Sequence, residues 1–558
     1  MSWSRARFSK IKWQVSQEDA IMRIHFVMAC FVMAFLLINI RLILVSTNSS
    51  DQAQRVIRAN IYRKDIVDRN GHLVATSLPV YSLFANPAQI ADKKSLVEKL
   101  SKILKVRSKT KMLNDLSSNK KFVWLKHDLT PKEEMLITNL GEPGIGLEKS
   151  FKRVYTQGNL MSHALGYVSR SNQGLAGVER FFDQELMVDE LSAQAAKQNN
   201  QKLELTLDSR IQNIVNQELD RAIIQFRAQG GVAVVADPNT GEILSLISKP
   251  DFNPHNPGNC TPEQLFNKAS LGSFEYGSIF KILTMAIALE TKSTNLSRQY
   301  DITDLKIGKF NIQDFTHTTG VQTVSEIFAK SSNKGTGRIA LEIGESQFRH
   351  YLRKLRLDDQ VMTQISEKAP KSFKTSTSWS DISTVTISYG YGIATSVLSI
   401  VQAIIPTING GTLLPLTLVK SDTGGGGEKI FSESTCQDMR KLMRLVVTCG
   451  SGRKSDVKGY LVGGKSGTAN KLVGKSYVKN ARRSSFIAAF PIDNPQYVIY
   501  VMLDNPQPTK ETGGYTTGGA TAAPVVGQII ARIASLKGML PYNEDIDFDN
   551  ISKKANGA

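Results

Sequence analysis

Ser278 and Lys281 stand three residues apart in Tyr276-Gly277-Ser278-Ile279-Phe280-Lys281, at the head of the apolar run ILTMAIALE. Positions three apart share a helical face, and a run apolar nearly all round reads as a helix buried in a core. A hydroxyl at the first turn of such a helix meets unpaired backbone N–H groups and the positive end of the helix dipole. Both favour a developing negative charge. A lysine beside it, stripped of water, loses part of its preference for the charged form and can take the serine proton. The chemistry this suggests is an activated serine nucleophile. Spacing alone does not establish one, since Ser331/Lys334 and Ser451/Lys454, among others, repeat it. What sets Ser278 apart is the glycine before it and the apolar helix after it.

Two further segments strengthen the reading. Ser331-Ser332-Asn333 begins 53 residues past Ser278, and Lys465-Ser466-Gly467-Thr468 begins 134 residues past Ser331. Taken singly, each reads as a surface loop, and Ser117-Ser118-Asn119 duplicates the first on the wrong side of Ser278. Taken in order, Ser-x-x-Lys, Ser-x-Asn and Lys-[Ser/Thr]-Gly form the triple of penicillin-recognising serine enzymes. Only folding can bring together groups so far apart in the chain.

The elements that must position them point to an α+β fold. Leu203 to Leu207 alternates as a strand, and Asp208-Ser209 can cap a helix whose Ile211, Ile214, Val215, Leu219 and Ile223 share one face. Gly231–Ala236 and Glu242–Ser248 are apolar strands joined by Asp237-Pro238-Asn239-Thr240-Gly241, a hairpin signal. Ser484–Phe490 and Tyr497–Leu503 read as two more antiparallel strands, and Val525–Leu536 as a closing helix. Helices with a largely antiparallel sheet make an α+β domain. Ahead of it, residues 93–121 are basic and suggest one or two helices, and Gln194–Gln201 reads as an exposed boundary loop.

The chain of 558 residues suggests two or three domains. Its net charge of +19 favours anionic partners such as nucleic acid, acidic headgroups or an anionic polymer. The N-terminus narrows that choice. Ile24–Val45 is apolar and long enough to cross a bilayer of about 30 Å as a helix. Arg5, Arg7, Lys10, Lys12 and Arg23 precede it, which favours a cytoplasmic tail. The bulk of the chain is then expected outside the cytoplasm, which argues against nucleic-acid binding. The expected organisation is a tail over 1–23, an anchor over 24–45, a non-catalytic region over 46–200, a catalytic domain over 201–540 and a polar tail over 541–558. Cys260, Cys436 and Cys449 have no zinc-site spacing; Cys436 and Cys449 could pair, though unbridged buried cysteine is the simpler reading.

With these residues in view, the chain resembles the class B penicillin-binding proteins from about Arg58 to Gly527. Ile66-Val67-Asp68-Arg69-Asn70-Gly71 is similar to the family's segment after the anchor. Arg153-Val154-Tyr155, His163-Ala164-Leu165-Gly166-Tyr167 and Gly174-Leu175-Ala176-Gly177-Val178-Glu179 resemble its pedestal blocks. Asp237-Pro238, Thr240-Gly241-Glu242-Ile243-Leu244, Tyr389-Gly390-Tyr391-Gly392-Ile393 and Asn409-Gly410-Gly411 resemble its transpeptidase domain. Asn333 and Ser388-Tyr389-Gly390-Tyr391-Gly392-Ile393 are similar to the septal, division-specific branch. Two departures stand out: Tyr276 replaces the usual proline before Gly277-Ser278, and Ser466 replaces the commoner threonine. The tyrosine is expected to alter the entrance to the helix and the fit of antibiotics.

The resemblance implies a peptidoglycan D,D-transpeptidase with no metal or cofactor, working at the inner membrane as a single-pass protein with its catalytic domain periplasmic. Ser278 would attack a D-Ala-D-Ala stem peptide with Lys281 as base, and Ser331 would pass a proton toward the leaving amine. Asn333 would hold the donor amide. Lys465, Ser466, Gly467 and Thr468 would bind the terminal carboxylate, with backbone N–H groups of Ser278 and Thr468 as oxyanion hole. Implied partners are stem peptides, β-lactams, the membrane, a multi-spanning glycosyltransferase and other division proteins. Competing readings are an elongation-specific transpeptidase, a D,D-carboxypeptidase or β-lactamase, and a non-catalytic scaffold or β-lactam sensor. His163 and His255 read as core or loop histidines, Tyr391 and Tyr515 as cleft-lining or packing residues, and Arg153 as the partner of a pedestal carboxylate.

Overall fold

The computed structural model describes residues 22, 25–42, 62–105, 108–188, 201–315, 318–371, 379–420, 426–473 and 476–542. The basic tail, the linker Ser46–Gln54, nearly all of the boundary loop and the C-terminal residues 543–558 lie outside them. So does part of the Gly424–Gly427 run. The chain divides into two compact units, residues 1–60 and 61–558. In the first, His25–Leu42 is a helix of 18 residues with mean hydropathy 2.0 and no buried share, long and apolar enough to span a bilayer.

The catalytic part of the second unit is built on five antiparallel strands, β1 (Gly230–Ala236), β2 (Ile243–Lys249), β3 (Gly463–Val473), β4 (Ser476–Phe490) and β5 (Tyr497–Asp504), in the order β3-β4-β5-β1-β2. β1 is buried along its whole length and alternates between two cores. Ala233 and Val235 join Val501 and Leu503 under the helices α1 (Ser209–Gln225) and α6 (Gly518–Leu536). Val232 and Val234 join Tyr500 and Met502 on the opposite face, against α2 (Lys281–Glu290). A strand buried on both faces has no reason to alternate apolar and polar residues, and its sequence GGVAVVA does not.

α2 is the axis of the helical half, with eight consecutive buried residues from Lys281 to Ala288, as its all-round apolarity predicts. Around it lie α3 (Val324–Lys330), α4 (Asn333–Ile343) and α5 (Glu433–Thr448). α6 is as long and apolar as a membrane span but is 56% buried within the fold, because its apolar face covers the sheet. The hairpin, both C-terminal strands and the closing helix appear as the periodicity predicts, but β4 begins at Ser476, eight residues before the expected start, and α6 at Gly518, seven before it. β3 differs: Lys465-Ser466-Gly467-Thr468 is on an edge strand and not in a loop.

The pedestal centres on the strands Leu73–Ala85 and Ile145–Tyr155, paired antiparallel from Ala75↔Tyr155 to Ala85↔Ile145. The basic stretch forms two helices, Lys93–Leu104 and Lys109–Leu116, capped by Asp92 and Ser108. Their Leu96, Leu100 and Met112 pack on Leu83 and Ala85. Polar contacts tie pedestal to catalytic part. Asp68 accepts from the backbone N–H and the hydroxyl of Ser209, the first residue of α1, at 3.1 and 2.7 Å. His255 Nε2 accepts the Tyr155 N–H at 3.0 Å, and the Glu367 carboxylate accepts the Gly177 N–H at 3.0 Å. His163 is buried against Pro250 O at 3.3 Å, so both histidines are structural. The four cysteines are unbridged, and Cys436 is buried while Cys449 is exposed.

Candidate active site

Ser278 lies in a single 3-10 turn, Gly277–Ile279, that runs into α2. The turn depends on Gly277, whose φ is +54° and whose N–H donates to Gly390 O at 3.2 Å. A Cβ on Gly277 would sit 2.4 Å from Thr468 O, so glycine is needed both for the dihedral and for the approach of β3. Ser278 is half-buried, with Tyr276, Gly277 and Ile279 buried around it. Tyr276, in the place of the family's usual proline, is buried. Its ring is turned into the core against Tyr500, 6.1 Å between centroids, and its hydroxyl donates to Thr395 O at 2.8 Å.

Lys281 and Lys465 are fully buried and meet at one hydroxyl. Lys281 Nζ donates to Ser331 O at 2.6 Å and to Ser331 Oγ at 3.2 Å, and Lys465 Nζ donates to the same Oγ at 2.9 Å. Among the described residues, neither lysine forms an ion pair. Burial first, and the neighbouring Lys465 second, hold the Lys281 ammonium well below the usual lysine range, with Asp314 acting the other way. Burial pushes Lys465 down to about 7. Two ammonium groups sharing a serine in a dry site favour losing a proton. The site can therefore present one neutral amine, a base, beside one cation. No hydrogen bond joins Ser278 to Lys281 among the described residues, and such contacts often tighten only once substrate is bound.

Ser331 ends α3 in the left-handed region at φ +64°, an uncommon conformation for a residue with a Cβ. The turn is held by Asp314, which sequence reading missed. Its carboxylate accepts from Ser332 Oγ at 2.7 Å, Lys334 N at 3.1 Å and the Asn333 N–H, covering the start of α4. Nothing in the local pattern singles out this loop aspartate, because the helix it caps lies 19 residues on. Asn333 is half-exposed, and its side-chain amide donates to Gln313 O at 2.8 Å.

β3 closes the other side. A Cβ on Gly467 would lie 2.6 Å from Tyr276 O, so this glycine lets the edge strand reach the nucleophile turn. Ser466 Oγ shares a 2.7 Å hydrogen bond with Ser451 Oγ, and Thr468 Oγ1 accepts the Gly518 N–H at 3.1 Å. Lys465, Ser466, Gly467 and Thr468 are thereby set beside Ser278, Lys281, Ser331 and Asn333. The second Ser-x-Asn copy, at Ser117–Asn119, follows a pedestal helix and is not part of the cleft. Tyr391 is half-buried at the cleft end, and Tyr515 is exposed.

Comparison with known proteins bears on the family and the fold. Residues 231–531 match the family described as "Penicillin binding protein transpeptidase domain", and residues 59–213 the "Penicillin-binding Protein dimerisation domain". The chain is 34% identical to the probable peptidoglycan D,D-transpeptidase FtsI of Caulobacter vibrioides, over 88% of this chain and 84% of that one. It is 31% identical to the probable peptidoglycan D,D-transpeptidase PenA of Neisseria gonorrhoeae, over 86% and 85%. Its fold is that of penicillin binding protein 3 of Mycobacterium tuberculosis, solved in complex with aztreonam. The TM-score is 0.67 at 22% identity, covering 86% of this chain and 97% of that one. The chain belongs to the penicillin-binding proteins, with the family's transpeptidase domain preceded by its dimerisation domain.

Proposed function

We propose that the chain is a serine-type peptidoglycan D,D-transpeptidase that cross-links stem peptides in cell division. The observation that carries the reading is the single Ser331 hydroxyl shared by two buried lysines, beside a serine at the head of a buried helix. In the proposed sequence, neutral Lys281 takes the proton of Ser278 as its oxygen attacks the carbonyl of a terminal D-Ala-D-Ala. Ser331 passes a proton to the departing D-alanine amine. Charged Lys465 and the hydroxyls of Ser466 and Thr468 hold the terminal carboxylate, and Asn333 holds the donor amide. Backbone N–H groups of Ser278 and Thr468 receive the developing oxyanion, each such donor being worth about 2.7–4 kcal/mol of barrier. An amine of a second strand then attacks the acyl-serine, freeing Ser278.

The names of the bacterial relatives support the peptidoglycan substrate and the division role, and the aztreonam complex of the fold relative supports β-lactam binding. The helix at His25–Leu42 supports a membrane anchor, and the basic residues ahead of it support a cytoplasmic tail with the catalytic domain outside. A multi-spanning glycosyltransferase is the proposed membrane partner; its absence from mild-detergent purifications of the full chain would count against that pairing. The enzymatic test is covalent labelling by a fluorescent penicillin, compared with Ser278→Ala. Labelling that disappears in the variant and decays slowly in the wild type supports a transpeptidase. Rapid decay points to hydrolysis instead, and no label on folded wild type removes the catalytic reading.

A further inference from the structure

Ser331 and Lys334 repeat the spacing of Ser278 and Lys281, yet the reaction above uses only the serine. Lys334 is nonetheless 8% exposed, and among the described residues it forms no ion pair. Its Nζ donates to two backbone carbonyls, Thr303 O at 3.0 Å and Thr318 O at 3.2 Å. Taking an ammonium out of water is costly unless its donors are met, and bonds from a charged donor are about twice as strong as neutral ones. The two carbonyls stand at the ends of one excursion of the chain. Gln299–Asp301 and Val321–Thr323 pair antiparallel with Asp301 opposite Val321, and Thr303 and Thr318 lie just beyond that last pair.

Asp314 belongs to the same excursion. Its carboxylate, which accepts from Ser332 and from the backbone of Asn333 and Lys334, also accepts from the Thr318 hydroxyl at 3.1 Å. Thr318 thus joins both sets of contacts, its carbonyl receiving the Lys334 ammonium and its hydroxyl holding Asp314. Lys334 in turn gives its backbone N–H to Asp314 and its side chain to the segment that carries Asp314. That segment packs through Leu305 and Ile312 on Val385. A Cβ on Gly337 of α4 would sit 2.8 Å from the Leu305 side chain, so the helix leaves room for that packing. Beyond Asp314 the contacts run to Ser331, whose left-handed backbone ends α3 and whose hydroxyl lies between Lys281 and Lys465. A shift of Asp314 therefore moves the turn that presents this hydroxyl.

We propose that Lys334 is a positioning residue for acylation: it ties the two ends of the 303–318 segment, and through Asp314 it fixes the Ser331 hydroxyl between Lys281 and Lys465. This rests on the transpeptidase reading above. The test is a double-mutant cycle on second-order acylation of Ser278 by penicillin. Intact mass follows the reaction on the wild type, Lys334→Met, Ser331→Ala and the two changes together. Lys334→Met is expected to slow acylation about tenfold, an ordinary coupling within one hydrogen-bond network. In the Ser331→Ala background the same change should alter the rate less than about twofold, because the group that Lys334 positions is gone. Lys334→Gln, with a shorter donor, is carried through the same cycle; its loss is expected to be smaller and must likewise vanish beside Ser331→Ala. A folded Lys334 variant at the wild-type rate overturns the role. An equal loss in both backgrounds also overturns it and leaves Lys334 as a support of the fold alone. If penicillin leaves the wild type unlabelled, the transpeptidase reading itself fails, an outcome distinct from either of these.

Discussion

In the pedestal, Arg63 and Arg153 are buried with Glu179 between them; in the cleft, Lys281 and Lys465 are buried with only a serine hydroxyl between them. Glu179 receives Arg63 at 2.8 Å and Arg153 at 2.6 Å, and Asp183 adds a second carboxylate at 2.6 Å from Arg63. Arg63 and Arg153 also donate to the carbonyls of Asn172, Glu179 and Lys64. Arg153 thus pairs with a pedestal carboxylate, as its place in the sequence suggests. Guanidinium stays charged under any burial found in proteins, so a buried arginine demands an anion; a lysine can give up its proton instead. The pedestal uses the residue that cannot titrate, and the cleft uses the one that can. Buried charge acts as a fastener in the first region and as a poised acid–base pair in the second.

The sharpest test of that contrast removes one member from each cluster. Lys281→Met keeps the volume of the side chain and deletes the amine. Acylation by penicillin should fall about 10²–10⁴-fold, the usual contribution of a general base. The thermal midpoint should hold or rise, because an apolar side chain of similar volume replaces a fully buried polar amine. A variant that acylates normally would remove Lys281 from the role of base. Glu179→Gln should do the reverse. It leaves Arg153 without its carboxylate and Arg63 with Asp183 alone, and is expected to cost about 3–5 kcal/mol in denaturant unfolding, while the folded fraction still acylates. Equal stability of variant and wild type would show that the pedestal cluster is no fastener.

Buried groups in the cleft and in the pedestal also set two separate pH windows, one alkaline and one acid, with stability rising with pH in each. Lys465 is held at about 7 by burial, against about 10.4 for a free lysine. Between those values the unfolded chain carries the proton and the folded one does not. This group's contribution to stability therefore rises with pH across that window and is least below it. Asp68 is held down to about 2: burial opposes ionisation, but hydrogen bonds from Ser209, His72 and Asn70 outweigh it. Its contribution is full above about 3.9, the free carboxyl value, and is lost as pH falls through 2. In activity, acylation by a carboxylate-bearing probe should decline as pH rises through about 7, where Lys465 loses its charge in the free enzyme. A pH–rate profile flat from 6 to 9 would exclude Lys465 as the carboxylate's cation. The smallest effect is expected at Tyr276→Phe, which breaks only the bond to Thr395 O. It should cost about 1 kcal/mol of stability and leave penicillin acylation within a few-fold of wild type.

Much of the framework was legible before any coordinates. The hairpin of β1 and β2, the buried α2 and the amphipathic α1 follow from apolar periodicity and turn residues, which act over a few positions. Ser278, Lys281, Ser331, Asn333 and Lys465 through Thr468 were legible because three short motifs occur in a fixed order. Less was legible where the reason is a contact. The Lys-Ser-Gly segment reads as a loop from its composition, yet its place at the sheet edge makes it a strand. Nothing local to Tyr276 says where its ring goes; Tyr500 and Thr395 hold it in the core.

By itself, then, the sequence determined which chemical groups the chain carries and which local elements bear them, since propensity, capping and apolar spacing are short-range. Only the tertiary structure decided that the two lysines share one serine, that Asp314 holds the turn before α4, and that Glu275 is buried under Tyr477. Those partners lie 134, 19 and 202 residues apart. At such distances, packing of the helices and sheet decides which polar groups meet, and the resulting loss of water, more than the residue types, lowers the proton affinity of two otherwise ordinary lysines.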